Sequence, residues 1–160
     1  MEGVVEKLDQ GKVQEAMDAL ETCGQSGRVV QNAKAVCLMR LRRYEQAVIA
    51  MRELVFPRGS FTIPEETPTA FRVNYVTALL LAGNVVTGLD MLGKITNHDD
   101  PGVKQLRAGV AKWKRGMGLL MRMAMLIGVT PKAPFVVDYP PGVLFVPWRE
   151  ETPRPAQQVA

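Results

Sequence analysis

Histidine and cysteine are almost missing from this chain: His98 stands alone, and Cys23 and Cys37 are the only thiols. Three such side chains cannot build the usual four-ligand zinc site. With so few thiols and no export signal, both cysteines are expected to be reduced and buried rather than bridged. Long apolar runs are absent as well, which excludes a membrane-spanning helix. The first residues, Met1 to Glu6, have neither a basic n-region nor an apolar h-region, so a cytoplasmic location is expected. No Walker loop, Gly-rich dinucleotide turn or metal-ligand spacing occurs. No Ser or Cys is accompanied by an identifiable activating base. Asp99-Asp100 and Glu65-Glu66 are adjacent carboxylates, which suits helix starts and solvated loops better than a positioned acid and base. His98 sits beside Asp99 in a polar turn, as a solvated residue would. The expectation is a protein that is not an enzyme, with no cofactor, no metal and no small-molecule substrate.

What remains is an ordinary globular balance: 160 residues, 47% apolar and 22% charged, enough for one domain or a short repeat array. The net charge of +4 is unevenly placed. Between Asp100 and Lys132 seven bases face a single acid, so the rest of the chain is slightly acidic.

The strongest internal signal is a repeat. Around Ala16, Ala47 and Gly88, apolar residues recur at the same offsets. Three positions before stand Val13, Tyr44 and Val85; four after stand Leu20, Met51 and Leu92; seven after stand Cys23, Leu54 and Ile95. Those offsets describe one face of an α-helix. A second helix precedes the later two anchors, with Leu38 and Leu79 nine residues upstream and Ala35 and Val76 twelve upstream. Each unit reads as helix, tight turn, helix, with turns at Gln10-Gly11-Lys12, Arg42-Arg43 and Gly83-Asn84.

The segments Gly11-Lys12-Val13-Gln14-Glu15-Ala16, Arg43-Tyr44-Glu45-Gln46-Ala47 and Asn74-Tyr75 with Leu79 and Gly83-Asn84 resemble the tetratricopeptide repeat (TPR) family. The resemblance covers roughly two-thirds of the chain. Its anchors lie 31 and 41 residues apart, the longer interval holding the Pro-rich loop from Phe56 to Pro68. It implies an all-α fold, a right-handed α-α superhelix of about two and a half TPR-like hairpins over residues 1–128.

The spacing predicts helices at about 2–9, 12–23, 29–41, 44–55, 68–82 and 84–96, with Thr67 as an N-cap before Pro68. Asp100-Pro101 opens a long capping helix over about 101–127. Val103, Leu106, Val110, Trp113, Met117, Leu120, Ala124 and Ile127 form its heptad seam, with a bend expected near Gly116 and Gly118. Residues 129–160 hold seven prolines and read as an extended tail. Its apolar part through Trp148 is expected to lie against the helices, and 149–160 to be disordered. Pro131-Lys132-Ala133-Pro134 matches a PxxP ligand formally, but its apolar neighbours favour packing.

For function, the resemblance implies a protein–protein interaction module, an adaptor or chaperone-like binder that takes a peptide segment or helix in a concave groove. By register the groove positions are Asn32, Val36, Met39 and Arg40, then Val73, Asn74, Thr77 and Leu81. Asn74 stands where TPR proteins often hold a bound peptide backbone. Two other readings compete. One is a membrane-surface adaptor using Lys112, Lys114, Arg115, Met121 and Met125, a face that would also suit a protein partner or a second copy of the chain. The other is a helical-repeat RNA binder, against which the placement of the bases on the terminal helix argues. The apolar tail could also fold back into the groove, as a regulatory strap or a core element.

Overall fold

A computed structural model describes residues 2–24, 27–57, 60, 62–126, 128, 129, 131 and 133–144. Among these residues all regular structure is helical: α1 (Glu2–Asp9), α2 (Val13–Thr22), α3 (Arg28–Arg40), α4 (Tyr44–Val55), α5 (Thr69–Leu81), α6 (Val85–Gly93), α7 (Pro101–Arg115) and α8 (Leu119–Leu126). None of these helices is long and apolar enough to cross a membrane. Each of the first six packs on its neighbour in sequence, while α5 also touches α3 and α7.

One device ends α1, α3 and α5. The amides of Lys12, Arg43 and Asn84 reach back to the carbonyls of Lys7, Leu38 and Leu79 at 2.8–2.9 Å. The residue before each takes a left-handed backbone: Gly11 (φ 74°), Arg42 (φ 60°) and Gly83 (φ 81°). This is the Schellman arrangement, which satisfies the last carbonyls and turns the chain back on itself. Just beyond each turn comes a buried small residue, Ala16, Ala47 or Gly88. A Cβ on Gly88 would lie 2.8 Å from Leu80 Cδ2, so the α5–α6 approach depends on its absence.

Three apolar clusters hold the helices. Leu8, Leu20, Val36, Met39 and Ala47 join α1 to α4. Met51, Leu54, Phe71 and Tyr75 join α4 to α5, with Phe56 edge-on to Tyr75 at 5.6 Å. Val73, Val76, Leu80, Leu92, Val103, Leu106 and Val110 join α5, α6 and α7. Helix α5 is buried nearly all round, as its mostly apolar stretch from Val73 to Leu81 requires, with Asn74 and Thr77 the buried polar exceptions. Removing each such side chain from water contributes about 1.5–3 kcal/mol. The Pro-rich loop is held by Arg72, whose guanidinium donates to the carbonyls of Pro64, Glu65 and Thr67 at 2.7–3.1 Å.

Three expectations require correction. The capping helix is not continuous: α7 ends at Arg115, Gly116 to Gly118 interrupt it, and α8 begins at Leu119. Two glycines within three residues remove the helix propensity that the heptad spacing presupposed. Consequently the seam stays buried only from Val103 to Met117, with Trp113 partly covered, while Leu120 is 84% exposed; Ile127 lies outside the described residues. Thr67 is not a cap: Pro68 holds the N-cap position, and the buried Thr67 gives its carbonyl to Arg72. Cys23 is exposed, because α2 ends at Thr22 and the thiol falls just past the buried stripe. Cys37 is buried in α3, and desolvation raises its thiol pKa to about 11. Asp100 does cap α7, accepting from the amides of Gly102 (2.8 Å) and Val103 (3.1 Å).

Candidate functional site

The site lies where α3 and α5 run side by side, with α7 packed on α5. Asn32 and Asn74, one on each of the first two helices, are fully buried. Asn74 Nδ2 donates to Asn32 Oδ1 at 2.8 Å. Buried carboxamides need partners on every face, and these find theirs in the tail. The Val143 amide donates to Asn74 Oδ1 at 2.7 Å, and the Val143 carbonyl accepts from Asn74 Nδ2 at 2.7 Å and Asn32 Nδ2 at 3.3 Å. No buried side-chain nitrogen or oxygen among the described residues lacks a partner.

Residues 133–144 carry no helix and form a strap along this face. Next to Val143, Gly142 adopts φ 90° and sits so close to α3 that a Cβ would lie 2.8 Å from Met39 Cε and 2.9 Å from Val36 Cγ2. Pro141 gives its carbonyl to Arg40 Nε at 3.3 Å, while another guanidinium nitrogen of Arg40 donates to the Leu8 carbonyl at 3.1 Å. Burial draws the Arg40 pKa below its ordinary value, opposed by Cys37 and Asp9.

On its other side the strap follows a furrow on α7. Gly102 and Gly109, two helical turns apart, present no side chain there. A Cβ on Gly102 would meet Val143 Cγ2 at 3.1 Å, and one on Gly109 would meet the Tyr139 hydroxyl at 3.6 Å. Further along, Trp113 Nε1 donates to the Pro134 carbonyl at 3.1 Å, and its ring lies edge-on to buried Phe135 at 5.7 Å. Lys112 pairs with Asp138 at 2.7 Å, and that hydrogen bond holds the carboxyl below its usual range. Burial raises the Tyr139 phenol, and the neighbouring Asp138 charge adds to this. Val143 meets the start of α7 and Pro134 its end, so the strap runs antiparallel to that helix.

The eight expected groove residues therefore meet different fates. Asn32, Val36, Met39, Arg40 and Asn74 converge on residues 141–143. Val73 lies beneath the α7 glycine furrow. Leu81 is half-buried between two apolar clusters. Thr77 turns its hydroxyl onto the Val73 carbonyl of its own helix at 2.8 Å, so it is occupied within α5. Gly142, the Gly102–Gly109 furrow and Trp113 were not singled out as binding residues by register. The signal for the furrow was present in the spacing of seven between two glycines on one helix.

The second candidate surface is arranged differently. Lys112 is engaged by Asp138, Lys114 is half-buried and Arg115 is exposed. Met121 and Met125 are half-buried, whereas Leu119 (72% exposed), Leu120 and Met123 face outward from α8. Arg122 folds back to the carbonyls of Arg115 and Met117 at 2.9 and 3.1 Å, satisfying the broken end of α7. No group of metal-ligating side chains occurs among the described residues.

Compared with known proteins, the chain matches no family model, no curated protein and no solved structure.

Proposed function

We propose that this chain is a TPR-like helical-repeat protein, its hairpins winding as a right-handed superhelix, and that it works as a non-enzymatic binder of extended polypeptide. The observation that carries this reading is the bidentate grip of Asn74 on the Val143 backbone, 2.7 Å to the N–H and 2.7 Å to the carbonyl. A carboxamide pair buried between two helices is expensive unless a backbone meets it. An apolar pair would serve packing alone at no such cost. The three repeated Schellman turns and small anchors support the repeat assignment.

The test is isothermal titration of the full chain with immobilisable peptide pools derived from extended, Pro-containing sequences, using wild type and Asn74→Leu. Binding that depends on Asn74, in a variant that keeps its helical circular dichroism, supports the reading. Equal binding by both proteins removes it.

A second reading has its own observation. Leu119, Leu120 and Met123 are exposed on α8, which follows the basic end of α7 at Lys114 and Arg115 in the chain, a combination of apolar and cationic side chains that suits an anionic membrane surface. Flotation with phosphatidylserine vesicles at low salt tests it. Retention of wild type and loss of Leu119→Ser/Leu120→Ser would favour a lipid contact, and no flotation of either would exclude it.

A further inference from the structure

The strap occupies the face that the proposed function assigns to a ligand, so its geometry states what that ligand must look like. Two features of the site are selective. At Gly142 the left-handed backbone and the 2.8–2.9 Å approach of Met39 and Val36 to a would-be Cβ exclude every side chain. One residue later Asn74 demands a free amide as well as a carbonyl, which excludes proline. Before the glycine, Arg40 takes the Pro141 carbonyl, a contact indifferent to the side chain.

We infer that the face reads a glycine followed by a non-proline residue in an extended chain, that Pro141-Gly142-Val143 is its resident occupant, and that a partner protein carrying the same glycine step displaces it. This inference rests on the polypeptide-binding reading and narrows it to a ligand class.

Displacement is built into the arrangement in two ways. The Asn32–Asn74 hydrogen bond does not involve the strap, so the pair keeps one mutual contact when the strap leaves. The strap also fills its channel incompletely. A cavity of about 340 Å³ lies beside it, lined by Met39, Arg40, Leu81, Phe135, Tyr139 and Pro141. An incoming chain can engage there before the resident segment is released. Val136, 67% exposed, and the exposed Asp138 show that the strap is held at intervals rather than throughout. Against this, tethering presents the strap at an effective concentration on the order of millimolar, so the closed form dominates without a competitor.

The experiment uses the full chain and two synthetic peptides, Asp-Tyr-Pro-Pro-Gly-Val-Leu and the same peptide with alanine for glycine, each labelled for fluorescence anisotropy. The proteins are wild type, Gly142→Val and Val143→Pro; the first substitution drives the strap from α3 and the second removes the amide that Asn74 accepts. The glycine peptide is expected to bind both variants at least tenfold tighter than wild type, and the alanine peptide at least tenfold more weakly than the glycine peptide. Equal binding of the two peptides would overturn the glycine step while leaving polypeptide binding intact. Absence of binding by variants that keep wild-type circular dichroism would overturn both. Loss of cooperative unfolding in both variants would show the strap to be a core element and would overturn displacement.

Discussion

The Asn74 carboxamide and the Val143 peptide backbone are matched donor to acceptor and acceptor to donor, 69 residues apart in the chain. Replacing Asn74 by Leu orphans the Val143 amide and removes the donor to Asn32 Oδ1. The expected loss is about 2–4 kcal/mol, since each unsatisfied buried group costs about 1–3 kcal/mol. Val143→Pro removes the same amide, so the two substitutions are expected to be far less than additive in a urea-denaturation double-mutant cycle. Additivity within half a kcal/mol would show that the two groups do not interact.

Arg42 carries the only positive φ of a non-glycine residue among those described, at the turn where its two counterparts are Gly11 and Gly83. An L-residue in that conformation costs about 1–2 kcal/mol. Arg42→Gly is therefore expected to stabilise the fold by about 0.5–1 kcal/mol after the extra freedom it gives the unfolded chain. A lowered Tm would contradict this.

The two thiols differ in surroundings, exposed at Cys23 and buried at Cys37. Iodoacetamide at pH 8 is expected to label Cys23 rapidly and Cys37 only on unfolding, as read by peptide mass spectrometry. Burial raises the Cys37 pKa from 9.0 to about 11. The native state then binds more protons than the unfolded state between those values, so this contribution to stability is intact below pH 9 and declines as pH rises toward 11. Cys37→Ala should flatten that part of the stability–pH curve, though it will lower stability overall through the cavity it leaves.

Trp113 reports on the strap through its hydrogen bond to Pro134 and its edge contact with Phe135. In a Trp148→Phe background, Gly142→Val is expected to shift Trp113 emission to longer wavelength. Trp113→Ala should cost about 2–4 kcal/mol, from the lost hydrogen bond, ring contact and buried area. Lys112→Ala should shift Tm far less, because its pair with Asp138 is solvent-exposed.

Arg72 ties the Pro-rich loop to α5 through three carbonyls. Arg72→Ala is expected to open the loop to limited proteolysis between residues 56 and 68 while the helical circular dichroism stays unchanged. Unaltered digestion would show that the loop's own apolar contacts suffice.

Local information determined α1 to α5 to within a residue at each end, and the start of α6 though not its end at Gly93, because apolar periodicity, Gly11, Gly83 and the small anchors act within one hairpin. Helical register set Asn32, Val36, Met39 and Arg40 on one face of α3 and Val73, Asn74, Thr77 and Leu81 on one face of α5, while the pairing of the two faces was an implication of the repeat resemblance. Chain composition marked an apolar Pro-rich tail that should lie against the helices, with the groove as one seat, but not which of its residues meet which side chains there. That depends on contacts more than a hundred residues apart, such as Asn32 with Val143, which no periodicity encodes. The interruption at Gly116–Gly118 was signalled locally as a bend, and the structure shows it as a full break between α7 and α8; the exposure of Cys23 follows from α2 ending at Thr22, one residue short of the regular apolar spacing. Tertiary structure thus decided what fills the face, because only the folded stack brings a buried carboxamide pair within reach of a glycine-marked backbone.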